Sequence, residues 1–172
     1  MERSNATREK VGGEAVQTDK GFIGSWAWLF PLTYLAHIAE EYWGGFPVWI
    51  ARFWGVESSS ANFLSWNGGA WVMMCVGVAL VLATKSYRWL LVSFGTALLI
   101  NGAVHTVASV VTRSYSPGLV SGILFFIPLG LLTLRRARRE VNARTLRAGV
   151  IVGVLMHAVV VLLAFGFARI TA

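Results

Sequence analysis

His37-Ile38-Ala39-Glu40-Glu41 lies inside the apolar segment Phe22 to Trp43, and that placement decides how the chain is read. Roughly 20 apolar residues at about 1.5 Å each cross the hydrocarbon of a bilayer as a helix, so the segment is long enough to span. Helical spacing sets positions 37, 40 and 41 at i, i+3 and i+4, with all three side chains on one face. An ionised carboxylate in the membrane interior costs about 2.5 to 3.5 kcal/mol on insertion scales, which makes an adjacent pair a functional candidate. The competing explanation, a charge pair that only ties helices together, needs a cation, and the apolar spans contain no Lys or Arg short of Arg169 at the end of the last.

The rest of the chain supports a membrane reading. Of 172 residues, 56% are hydrophobic and only 13% charged, which excludes an ordinary soluble core. The net charge of +7 would suggest nucleic acid in a soluble chain, but here the basic residues sit between apolar runs, where membrane orientation accounts for them. A single cysteine, Cys75, excludes an intrachain disulfide framework and a cysteine-only metal cluster. Residues 1–20 are polar and read as a flexible cytoplasmic tail, and residues 21–172 as one membrane domain.

The expected fold is all-α, an integral membrane bundle of five transmembrane helices. The spans are Phe22 to Trp43, Asn62 to Thr84, Trp89 to Thr112, Pro117 to Leu134 and Ala148 to Ile170. Gly44-Gly45-Phe46-Pro47 ends the first, and the aromatic stretch Val48 to Trp54, too short to span, is expected as a short interfacial helix between the first and second. With the N-terminus cytoplasmic, twelve basic residues lie inside and only Arg52, Arg113 and Arg169 outside. That split places the C-terminus outside a cell membrane. It also sets His37, Glu40, Glu41, Asn101, His105 and His157 between the midplane and the outer surface, with Tyr115 just above. Asn67, beside Gly68 and Gly69 at the outer end of the second span, marks a place where a helix or ligand can approach closely.

Taken with Phe46-Pro47, Asn101-x-x-x-His105 and Tyr115-x-Pro117-Gly118, the pentapeptide resembles the HXXEE family of small multi-pass membrane proteins. The resemblance covers most of the chain from residue 25 and implies a multi-pass protein with these polar residues grouped. The family has no established reaction, so the resemblance supplies no mechanism.

Glutamate oxygens and histidine nitrogens are the ligand set of zinc and non-haem iron sites, and a divalent cation would neutralise carboxylates that no Lys or Arg reaches. The leading expectation is a membrane-embedded enzyme using zinc or iron to hydrolyse or oxidise a lipophilic substrate among membrane lipids. His37, Glu41, His105 and His157 would hold the metal, Glu40 would handle the proton, and Asn101 or Tyr115 would orient the substrate. A metal-free acid/base isomerase or cyclase of an isoprenoid or sterol-like lipid is the alternative, because two close carboxyls in low dielectric do not both ionise. A proton-coupled transporter is a third class, disfavoured by the lack of an inverted repeat. No nucleic-acid partner is expected.

Overall fold

The computed structural model describes residues 21–167, with side chains through Leu163. The expected N-terminal tail, Arg169 and the end of the fifth span lie outside these residues. Every regular element described is helical. A 3-10 turn, Ser25–Trp28, runs directly into α1, Leu29–Trp43. Gly45, at φ 75, turns the chain into α2, Phe46–Trp54, which Gly55 closes at φ 65. Ser59 caps α3, Ser60–Thr84, its Oγ accepting the Asn62 N–H at 3.1 Å. Then come α4, Arg88–Thr112, α5, Leu119–Glu140, and α6, Ala143–Phe167. Helix α5 contains one wide π-helical turn, Gly122–Phe126.

Four of these helices, α3 to α6, are long and apolar enough to cross a membrane. Their surfaces agree with that: Met73, Val110 and Leu162 are each at least 69% exposed, a pattern a water-facing surface does not sustain over whole helices. The expected first span is shorter than a crossing helix, because its regular part is 15 residues. Three expected boundaries shift. Pro117 stands outside α5, which begins at Leu119 and runs past Leu134 to Glu140. Arginine is a good helix former, and Arg136 pairs with Glu140 one turn on at 3.1 Å, so the basic run continues the helix. Helix α6 starts earlier than Ala148 because Asn142 Oδ1 accepts the Thr145 N–H at 2.8 Å and caps it.

Helix α4 carries α5 and α6 on seams of small residues. A Cβ on Gly153 would stand 2.6 Å from both the Ser93 carbonyl oxygen and Thr96 Cβ, and one on Gly149 would stand 2.5 Å from Val92 Cβ. On the other flank, a Cβ on Gly130 would meet the Gly95 carbonyl oxygen at 2.6 Å, and one on Gly122 would lie 3.2 Å from Gly102 Cα. Such close approach is how helices gain contact where lipid supplies no hydrophobic drive. The buried hydroxyls of Ser93, Thr96 and Thr133 bond to carbonyls one turn back within their own helices, at 2.8, 2.9 and 2.7 Å. Phe22, Phe30, Val78, Leu91, Val92 and Phe126 fill the centre. Gly68 and Gly69 do not provide the close approach expected of them, since a Cβ on either meets nothing within 4 Å.

Gly153→Val is therefore expected to destabilise the bundle by roughly 1–3 kcal/mol through overpacking. Gly68→Ala should be stabilising by about 0.5–1 kcal/mol, as for an open glycine within a helix. Thermal unfolding of the detergent-purified variants measures both.

Candidate metal centre

The C-terminal ends of α1 and α4 and the N-terminal end of α5 meet at one end of the bundle, away from the arginine-rich junction of α5 and α6. His37 and Glu41, one turn apart on α1, point into this junction, and His105 enters it from α4. Their exposures are 1%, 5% and 5%. Glu41 Oε1 lies 3.3 Å from His105 Nε2 and 3.6 Å from His37 Nε2. One ligand atom from each of the three residues falls within 4.8 Å of the other two, so the group could hold a metal ion. Bonds of about 2.0–2.1 Å to a tetrahedral zinc put neighbouring ligand atoms roughly 3.3–3.4 Å apart. The Glu41–His105 separation of 3.3 Å matches that edge, and the Glu41–His37 separation of 3.6 Å is slightly longer.

The far side of each ring is held by a serine. His37 Nδ1 lies 2.7 Å from Ser121 Oγ, and His105 Nδ1 lies 3.1 Å from Ser116 Oγ. The Gly118 carbonyl, 3.4 Å from Ser121 Oγ, gives that hydroxyl an acceptor of its own, which allows it to accept from a His37 Nδ1–H. That tautomer leaves the His37 Nε2 lone pair turned toward the Glu41 carboxylate, and among the described residues this buried nitrogen has no hydrogen-bond partner. A lone pair facing a carboxylate in this way suits a metal ion, and a proton on Nε2 would also satisfy it. The rings are further fixed by packing. His37 lies 4.3 Å from the Phe126 ring and 5.0 Å, edge-on, from His105, while Phe46 of α2 covers His105 at 5.8 Å.

Gly118 makes the junction possible. It takes φ 99, and a Cβ there would stand 2.7 Å from His37 Cε1 and 2.8 Å from His105 Cε1. Only glycine brings backbone this close to both imidazoles. It is also the N-cap of α5 and offers no capping side chain. Glu40 fills that role from α1, its Oε1 accepting the Val120 N–H at 2.9 Å and its Oε2 the Ser121 N–H at 2.7 Å. These are the first-turn donors that a helix cannot satisfy internally, and a carboxylate also complements the helix dipole there. The Tyr115 hydroxyl donates to Glu40 Oε1 at 2.5 Å. Partial burial and the Glu40 carboxylate push the Tyr115 phenol up to about 12, so it remains a donor at physiological pH.

Of the residues singled out in the sequence, His37, Glu41 and His105 thus converge, with Glu40 and Tyr115 on the exposed rim beside them. The gathered ligand atoms do not include His157. Its Nε2 is buried on α6, and Asn101 Oδ1 is buried on α4, neither with a hydrogen-bond partner among the described residues. Asn67 ties helices together, accepting from the Tyr34 hydroxyl at 2.8 Å. Sequence reasoning missed Ser116, Ser121 and Phe126. Ser116 is the unspecified position within Tyr115-x-Pro117-Gly118 and Ser121 follows three residues after it, and their nearness to that turn was the available signal.

Residues 28–133 match the family described as "Protein of unknown function with HXXEE motif". No curated protein and no solved structure matches the chain.

Glu40→Ala is expected to cost about 2–4 kcal/mol, since hydrogen bonds to a charged group contribute roughly 1.5–3 kcal/mol each. Tyr115→Phe removes one donor of three and should cost less. Unfolding of the two variants in the same detergent compares them directly.

Proposed function

The chain belongs to the HXXEE-motif family, and we propose that it is a membrane-embedded enzyme in which His37, Glu41 and His105 bind a divalent metal ion, zinc or iron. The observation that carries this reading is the bare, buried His37 Nε2 facing a carboxylate oxygen 3.6 Å away. Two imidazoles and one carboxylate are the ligand set of hydrolytic zinc sites that keep a fourth position open, and also of non-haem iron sites. When bound, the ion would supply Lewis acidity toward a polar group of the substrate.

The chain's own residues define the remaining roles. Glu40 has its oxygens engaged by three donors, so it takes part in proton transfer only through Tyr115, whose hydroxyl forms the exposed end of the pair. Tyr115 positions the substrate at the rim, and Asn101 Oδ1 offers an unused acceptor inside. His157 serves as a further polar contact from α6. Helix α2, bounded by glycines at positive φ and covering His105 through Phe46, governs access.

The lipophilic nature of the substrate follows from a five-span topology. The 3-10 turn and α1 together are about 30 Å long, the thickness of the hydrocarbon, so they cross as one unit. Helix α2 then lies along the interface, and the centre sits in the outer half of the cell membrane, opposite the arginine-rich end. Hydrolysis is the first choice of reaction. A second reading, metal-free proton transfer in an isomerase or cyclase, draws on the 3.3 Å contact between Glu41 and His105, which suits a proton as well.

Protein purified without chelator is expected to carry about one zinc or iron per chain by elemental analysis. His37→Ala, Glu41→Gln and His105→Ala should each reduce that at least tenfold, and Tyr115→Phe should retain it. Absence of metal from the wild type, with no binding or stabilisation on adding zinc or iron, would sink the metal reading in favour of the acid/base one. Enzyme function is checked by incubating reconstituted protein with total lipid extract. A product formed by wild type and lost in Glu41→Gln is expected.

A further inference from the structure

At the opposite end of the bundle, the turn between α3 and α4 and the first turns of α6 border an open polar pocket of about 420 Å³. Lys85, Ser86, Tyr87, Arg88, Trp89 and Thr145 line it, two of them cationic and three bearing hydroxyls. The turn is built in an uncommon way. Lys85 and Tyr87 hold φ 52 and φ 57, a region glycine takes freely and other residues seldom adopt. Thr84 stabilises it, with its Oγ1 accepting the Ser86 N–H at 3.3 Å and its carbonyl accepting the Ser86 hydroxyl at 3.2 Å. A chain needing only a tight turn would use glycine at both positions. This one keeps a lysine and a tyrosine there, and both residues line the pocket.

The surroundings select an anion. Eight basic residues, at 85, 88 and 135–147, gather at this end. Glu140 is the one carboxylate among the described residues here, and it is paired with Arg136 at 3.1 Å. Membrane orientation explains the number of positive charges, but it does not explain a pocket lined by two of them together with three hydroxyls.

We propose that this pocket binds the phosphate of an anionic phospholipid, with Lys85 and Arg88 countering the charge and Tyr87 and Thr145 donating hydrogen bonds. A lipid is favoured over free phosphate by position. The pocket lies at the ends of three helices able to cross a membrane, where Tyr87 and Trp89 stand at headgroup level. Leu80 of α3 and Ile151 of α6, 44% and 60% exposed, continue an apolar surface one to two turns farther in for the acyl chains. The site is remote from the His37 and Glu41 centre and does not depend on it.

The test adds phosphatidylglycerol, phosphatidylcholine or inorganic phosphate to detergent-purified protein and records thermal unfolding and lipid retention by native mass spectrometry. Phosphatidylglycerol is expected to be retained and to raise the unfolding temperature, while the other two have little effect. Lys85→Gly relieves the backbone strain, so it should fold at least as well while binding phosphatidylglycerol at least tenfold more weakly, and Thr145→Val should also weaken binding. The control Arg138→Ala/Arg139→Ala removes more charge outside the pocket and should bind as wild type does. The proposal is overturned if the control weakens binding as much as Lys85→Gly, if phosphatidylcholine binds equally, or if inorganic phosphate reproduces the full effect.

Discussion

A carboxylate buried between two imidazoles, with no basic side chain beside it, sets the terms for one whole end of this molecule. Glu41 is 5% exposed, and the atoms nearest its Oε1 in that junction are ring nitrogens at 3.3 and 3.6 Å. Desolvating a carboxylate costs several kcal/mol unless a positive charge shares the site. The partners must therefore be held in place, and the serines on both Nδ1 atoms, the Phe126 ring and the glycine at position 118 all do this.

Glu40 shows how adjacent glutamates divide the work. A step of one residue turns the side chain about 100° around α1. Glu41 consequently points into the centre, while Glu40 reaches across to the bare N-terminus of α5. By capping that helix from another one, Glu40 sets where Ser121 and Gly118 lie, and these two touch His37. The π-helical turn that follows fits the same constraint, since it joins Ser121 to Phe126, both of which contact the His37 ring, over a stretch where Gly122 packs on Gly102. Wide turns of this kind are frequent at functional sites.

Much of this was legible in the sequence because period and chemistry coincide. The four-residue step from His37 to Glu41 put both on one face, and the polar residues of α4 pointed to His105 as a partner. The long apolar helices followed from hydropathy, with end errors of a few residues where Arg135 to Arg139 extend a helix beyond the apolar run. Other features were hidden. Beyond nearness to the Tyr115-x-Pro117-Gly118 turn, nothing local distinguishes Ser116 and Ser121 from other small residues, since their importance arises from contacts with other helices. Treating positions 37, 40 and 41 as one face was too coarse, because the i+3 and i+4 directions differ enough to serve different neighbours. Gly68 and Gly69 read like a packing surface, yet the close seams use Gly95, Gly102, Gly130, Gly149 and Gly153, and only tertiary contact separates the two sets.

The central claim is that the Nε2 atoms of His37 and His105 and the Glu41 carboxylate converge on a metal ion. X-ray absorption at the zinc edge of protein loaded with one equivalent of zinc tests it most directly. The account predicts a first shell containing two imidazoles and at least one carboxylate oxygen at about 2.0–2.1 Å, reduced to one imidazole in His105→Ala. A shell of oxygen alone, or a spectrum that His37→Ala and His105→Ala leave unchanged, would contradict it.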